Sequence, residues 1–260
     1  MSKLYTTQLQ AGLGLIEETK LLFSIWEEGM TTSDLYQKAL NSGYFPNVSA
    51  RRLRNIVAEC FAPRFLTNGD FPALLIKKLI YSLSTTELNQ ILFLYTSRAN
   101  KIFADYVIQV YWDYYSSGHE SISTEVAKEF VIRANEEGKT ANYWSETTIR
   151  RIAAYLNGCC GDFGLLESGR KSNRKIRGFR IEPKIIAFLA YDLHFSGFGD
   201  NAVISHSDWA MFGLQKDDVR DELKRLSLKG YFIIQSAGDI THLSWNFKTW
   251  EELLDVIIKD

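Results

Sequence analysis

The stretch Trp144-Ser145-Glu146-Thr147-Thr148-Ile149-Arg150-Arg151-Ile152-Ala153-Ala154-Tyr155-Leu156 has the pattern of a capped amphipathic helix. Ser145 suits an N-cap, because its hydroxyl can accept from the N–H of Thr147 or Thr148. Trp144 before the cap and Ile149 at the fourth helical position predict a hydrophobic staple. Ile149, Ile152, Ala153 and Leu156 repeat at i, i+3, i+4 and i+7, the spacing of a core-facing stripe. Thr147, Thr148, Arg150, Arg151 and Ala154 are left on or near the outer face. Small residues and arginines there suit entry into a DNA major groove.

The chain then runs through Gly158, Gly161 and Gly164 into Leu165-Leu166-Glu167 and a basic segment, Ser168-Gly169-Arg170-Lys171-Ser172-Asn173-Arg174-Lys175-Ile176-Arg177-Gly178-Phe179-Arg180-Ile181. Between Gly169 and Ile181 stand six Lys or Arg and no acid. A helix followed by a two-stranded hairpin with a basic tip outlines a winged helix-turn-helix. Its helix reads the groove and its wing lies along phosphates. A solvated, charged β-turn without a ligand has the same outline.

A second unit precedes it. Thr31 to Asn41 predicts a short helix capped by Thr32 or Ser33. After the turn Gly43-Tyr44-Phe45-Pro46-Asn47 comes Val48-Ser49-Ala50-Arg51-Arg52-Leu53-Arg54-Asn55-Ile56-Val57-Ala58, giving helix, turn, helix. Val48 and Leu53 repeat the staple around Ser49. A shift of 96 positions aligns Ser49, Arg54, Ile56 and Ala58 with Ser145, Arg150, Ile152 and Ala154. That is compatible with duplication and with two independently capped helices. Ser49, Arg51, Arg52 and Arg54 join Thr147, Thr148, Arg150, Arg151, Arg170, Lys171, Arg174, Lys175 and Arg177 as candidate DNA contacts, with ordinary surface charge as the competing explanation.

Elsewhere the pattern is helical. Residues 7–28 read as one long helix weakened by Gly12 and Gly14 and ended by Gly29. Pro72 to Leu83 and a helix opened by the capping box Ser84-Thr85-Thr86-Glu87 follow. The aromatic run from Ile102 to Tyr115 reads as core, since positive charge is sparse around it. Thr124 to Glu137 and a helix begun by Pro183 come next. The last sixty residues suggest another winged-helix-like unit. It has Asp208 as a cap, an amphipathic Lys216–Leu228 helix, a hairpin about Ala237-Gly238-Asp239, and a closing helix capped by Thr249. Its cations are balanced by Asp217, Asp218, Asp221 and Glu222, which makes it a poorer DNA reader and a better candidate for protein contact or purely structural work.

The chain has 260 residues and a net charge of −1. Residues 143–182 nevertheless carry eight Lys or Arg against four acids, and residues 31–66 carry five against two. Such local basic surfaces on a near-neutral chain fit specific docking onto DNA. Cys60, Cys159 and Cys160 lack zinc spacing and read as reduced small hydrophobes. Met1-Ser2-Lys3-Leu4-Tyr5-Thr6-Thr7 has no apolar signal core, and no apolar run approaches the ~20 residues of a membrane helix. The expectation is cytoplasmic, without membrane insertion.

Catalytic chemistry is not signposted. His119, His194, His206 and His242 show no metal-ligand spacing. Ser205-His206-Ser207-Asp208 places triad residue types side by side, but triads assemble in space rather than along the chain. Gly12-Leu13-Gly14 is no phosphate loop, for it lacks the preceding strand and the third glycine. No cofactor, metal or enzymatic activity is expected.

The Tyr5–Glu18 segment, Ser49-Ala50-Arg51-Arg52-Leu53-Arg54 and Thr148-Ile149-Arg150-Arg151 resemble the BrxA family. So does the closing Gly230-Tyr231-Phe232 … Leu243-Ser244-Trp245 … Trp250-Glu251-Glu252-Leu253 block. The resemblance implies a non-enzymatic, double-stranded DNA-binding accessory protein of a bacterial BREX phage-defence (phage exclusion) system. It implies action beside the methyltransferase and other BREX proteins. A scaffold contacting BREX subunits without touching DNA is the alternative.

The expected fold class is mainly α, a helical bundle with helix-turn-helix and winged-helix units carrying small β-hairpin wings. The expected divisions are a helix-turn-helix region (1–70), a helical connector (71–142), a winged-helix unit with a basic wing (143–200) and a winged-helix-like unit (201–260).

Overall fold

The structure is a computed structural model that describes residues 4–10, 14–169, 171–237 and 240–259. The chain is mainly helical with two small antiparallel sheets, and it divides into two compact units. One comprises Met1–Ile80 and Leu92–Phe179, the other Tyr81–Ile91 and Arg180–Asp260.

The first unit opens with a short 3-10 turn, Gln8–Gln10, and α1 (Ile16–Ile25). The helix expected over 7–28 is therefore shorter. Leu15 takes the left-handed backbone conformation (φ 51°, ψ 41°) and Trp26 is extended. The reason is tertiary: the peptide groups of Gly14 are bonded to distant side chains, described below. α2 (Thr32–Asn41) is capped by Thr31, one residue before the expected Thr32 or Ser33. Asp34 decides this, because only Thr31 lies three residues before an acid that can return the hydrogen bond.

α3 (Ala50–Asn55), a wider π-helical segment Ile56–Phe61, and α4 (Ala62–Phe65) follow without a break. The wide segment lies just before Pro63, which has no N–H to continue the regular ladder. Phe61 and Phe65 both pack against Phe23 of α1, with centroids 4.9 and 5.1 Å away.

α5 (Phe71–Leu79) ends short of the expected Leu83. α6 (Thr85–Ala99) begins at the predicted box, with Glu87 N–H donating to Ser84 Oγ and Ser84 N–H to Glu87 Oε2. α7 (Lys101–Tyr106), a π-helical segment Val107–Tyr111 and α8 (Trp112–Ser116) form the aromatic helix. It is core, as its sparse charge predicted: Phe103, Tyr106, Val107 and Tyr111 are fully buried.

β1 (Ser121–Ser123) then leads into α9 (Thr124–Glu136), α10 (Glu146–Asp162) and β2 (Asn173–Lys175). β2 pairs antiparallel with β1, matching Ser121 to Lys175, Ile122 to Arg174 and Ser123 to Asn173. On its other side the same strand meets residues 165–167. Leu166 bridges Ile176, Glu167 N–H donates to Lys175 O, and Arg177 N–H donates to Leu165 O. The predicted hairpin is present, and a third segment from before α9 is added to it.

The second unit contains the opening turns of α6 through Ile91, α11 (Pro183–Phe195), α12 (Asp200–Ile204), α13 (Asp208–Met211), α14 (Lys216–Ser227), β3 (Phe232–Ala237), β4 (Ile240–Trp245) and α15 (Trp250–Lys259). β3 and β4 pair from Phe232–Trp245 to Ala237–Ile240, around Tyr191 and Tyr231. Asp208, predicted to cap α13, does not do so. Ser207 holds that position and Asp208 is the first helical residue. Thr249 does cap α15, accepting from Glu252 N–H. Gly238 and Asp239, at the tip of the hairpin, lie outside the described residues.

Candidate nucleic-acid interface

α10 is capped as expected, with Thr148 N–H donating to Ser145 Oγ. Trp144 and Ile149, the predicted staple, are both buried, and Ile152, Ala153 and Leu156 are wholly inaccessible. The opposite side is open. Thr147, Arg150, Arg151 and Ala154 are exposed at i, i+3, i+4 and i+7, while Thr148 is half-buried at its edge. Arg150 donates to Glu146 Oε1 at 3.0 Å with both side chains well exposed. Such a pair contributes only about 0.3–0.5 kcal/mol and is readily exchanged for a phosphate contact.

The basic hairpin divides its cations. Lys175 and Arg177 are exposed, and Lys171 is exposed while donating to Glu167 Oε2 at 3.1 Å. Arg170 lies outside the described residues. Arg174 behaves differently. Its Nε is buried, and its Nη1 would stand 2.5 Å from a Cβ placed on Gly161. Its guanidinium therefore fills the groove that glycine leaves on the last turn of α10, rather than extending outward with its neighbours.

The other arginine helix has the same construction. Ser49 caps it, accepting from Arg52 N–H, and Leu53, Ile56 and Val57 are buried. Arg51, Arg54 and Ala58 are exposed, and Arg52 is half-buried. Thr32, Ser33, Tyr36 and Gln37 of α2 form an open cleft of about 500 Å³ with Arg54, Val57 and Ala58.

Residues that pattern reading passed over hold α10 in place. Asn135 of α9 is buried and grips both peptide groups of Trp144, accepting its N–H at 2.8 Å and donating to its carbonyl at 3.2 Å. Asn157 is buried within α10 itself. It accepts from Tyr106 Oη at 2.6 Å and donates to Ser123 O of β1 at 3.2 Å. An asparagine on the apolar side of a predicted helix is the sequence signal available for Asn157. Asn135 gives no such signal, since its partner lies across a turn.

Cys60, Cys159 and Cys160 are buried and free, and burial raises all three thiols above their ordinary range. They pack as apolar side chains, as expected. Among the described residues no group of three His, Cys, Asp or Glu is arranged to hold a metal ion, and no helix is long and apolar enough to cross a membrane.

The family profile described as BrxA matches residues 3–192. The chain belongs to the BrxA family. Membership makes it a component of a bacterial BREX phage-defence system. The BrxA match covers both arginine helices and the basic hairpin. It ends inside α11, so the closing Gly230–Leu253 block that shares in the resemblance lies beyond it. No curated protein matches the chain. Among solved structures, an uncharacterized protein from Magnetospirillum magneticum is similar in fold, with a TM-score of 0.60 at 14% identity. The similarity covers 74% of this chain and 95% of that one.

Proposed function

We propose that this BrxA-family chain acts in BREX defence as a non-enzymatic, cytoplasmic protein that binds double-stranded DNA. The observation that carries this reading is the exposed Thr147–Arg150–Arg151–Ala154 face of α10, together with the exposed Lys171, Lys175 and Arg177 of the hairpin that follows it in the chain. The order α7 to α8, β1, α9, α10, residues 165–167 and β2 supports a winged-helix unit. In such a unit the helix occupied by α10 enters the major groove and the hairpin follows the backbone. Arg51, Arg52 and Arg54, on a helix capped by Ser49, supply a second set of contacts, and Arg170 belongs with the wing by sequence. Other BREX proteins, the methyltransferase among them, are the expected protein partners.

The test is a titration of a labelled duplex over a salt series, with Arg150 and Arg151 changed together to Ala. Two lost phosphate contacts lower the slope of log affinity against log salt by about 1.8. An unchanged slope removes α10 from the interface, and no binding by the parent protein even at low salt removes the function.

A second reading concerns Arg180–Asp260. Three of the four cations of α14 pair within their own helix, Arg220 to Asp217, Lys224 to Asp221 and Arg225 to Glu222. Meanwhile Leu228 and Ile233 are 89% and 57% exposed. Neutralised charge beside exposed apolar side chains favours a protein-contact role for this part. Co-purification with a BREX subunit that is lost on changing Leu228 and Ile233 to Ser, with duplex affinity retained, is the expected result.

A further inference from the structure

Residues 4–10 and Gly14 do more than precede α1. Tyr5 N–H donates to Lys139 O at 2.8 Å and Ala141 N–H to Tyr5 O at 2.9 Å, fastening the segment to the turn between α9 and α10. The Tyr5 hydroxyl donates to Asp105 Oδ2 at 2.6 Å. The Gln8–Gln10 turn, with Leu9 buried, packs against both α10 and the Ile56–Phe61 segment. Gly14 then joins two helices through its own backbone. Its N–H donates to Asp162 Oδ2 at 2.9 Å, at the last residue of α10, and its carbonyl accepts from Arg64 Nη1 at 3.2 Å, in α4.

The position requires glycine. A Cβ there would lie 2.7 Å from Asp162 Cβ, an atom fixed to the α10 backbone that cannot swing aside. Both arginine sets lie toward the opposite, N-terminal ends of these helices. At 1.5 Å per residue, Arg151 is roughly 16 Å from Asp162 and Arg54 roughly 15 Å from Arg64 along their axes. The Gly14 junction thus sets how the helix running from α3 to α4 meets α10, which Asn135 and Asn157 hold in place. A rotation of the α3–α4 helix by about 10° moves its arginines by roughly 3 Å, about the length of one hydrogen bond.

We infer that the amino-terminal strap, through Gly14, is a positioning device that fixes the angle between the two arginine helices so that both engage one duplex. Its role in recognition rests on the DNA-binding reading, whereas its geometric role does not.

Two measurements separate the levels. First, spin labels on Arg54→Cys and Arg151→Cys report the distance between the helices without DNA, the native cysteines being buried. Gly14→Ala should displace or broaden that distance by roughly 3 Å. Asp162→Ala, which removes the acceptor without adding an atom, should broaden it and serves if Gly14→Ala fails to fold. A distance distribution unchanged in both variants overturns the inference.

Second, the chain without labels is titrated against a duplex of about one helical turn and one of about two and a half. Gly14→Ala or Asp162→Ala should lower the preference for the long duplex about tenfold while holding the short-duplex affinity within twofold. Equal loss on both duplexes, or loss on neither, overturns the role in recognition. A parent protein that binds neither duplex refutes the DNA-binding function instead and leaves the distance measurement to decide the geometric role of the strap.

Discussion

The cations of the basic hairpin are not equivalent, and single substitutions should separate them. Lys175 and Arg177 are exposed, whereas Arg174 has a buried Nε and a guanidinium lodged against Gly161. For duplex DNA each phosphate contact contributes about 0.9 to the salt slope, or roughly a 3.5-fold change in affinity between about 50 and 200 mM salt. Lys175→Ala and Arg177→Ala should each reduce the slope by about that amount and leave the melting temperature unchanged. Lys171→Ala should reduce it less, because Glu167 already offsets part of that charge. Arg174→Ala should leave the slope as it was and lower the melting temperature. Its partly buried methylenes contribute about 1–2 kcal/mol, which for a chain of this size is a few degrees. Fluorescence anisotropy of a labelled duplex over a salt series, with a thermal melt of each variant, reads both quantities. Should Arg174→Ala lower the slope as much as Arg177→Ala with no loss of stability, the guanidinium leaves its slot to reach DNA, and its assignment to the body of the protein is wrong.

Asn135→Leu strands both peptide groups of Trp144, each costing about 1–3 kcal/mol; a melt within a degree of the parent protein would show that water replaces the asparagine. Tyr106→Phe removes the 2.6 Å bond to Asn157 and should cost about 1–2 kcal/mol in a denaturant titration, with no change in salt slope. Burial holds the Asp162 carboxyl above its ordinary range, opposed by the Gly14 N–H and the nearby Arg174 charge. Ionisation of this partly exposed group therefore opposes folding at neutral pH, and that cost fades as pH falls through the raised value toward the unfolded one. Asp162→Asn keeps an acceptor oxygen, so it should melt at or above the parent protein at pH 7, with the gap closing on acidification. A gap that widens instead contradicts the assignment.

Capped starts and apolar stripes were readable in the chain itself because they are local. Ser49, Ser84, Ser145 and Thr249 cap helices from hydrogen bonds that span three residues, and the Ile149–Leu156 stripe needs only helical periodicity. The arginines on the outer faces of two helices follow from the same periodicity, and so does the exposure of Lys175 and Arg177 on a polar hairpin. Tertiary structure decided whatever depends on groups far apart in the chain. It added β1 to the hairpin across more than forty residues, withdrew Arg174 into the groove of Gly161, and delayed the start of the first predicted helix until after Leu15. It also bonded Gly14 to Asp162, 148 positions away, and to Arg64, 50 positions away. Helix propensity favours a run of residues only weakly, and long-range hydrogen bonds to a buried backbone outweigh it. A charged side chain's type is written in the sequence, but whether it faces solvent or fills a gap depends on what the fold places beside it.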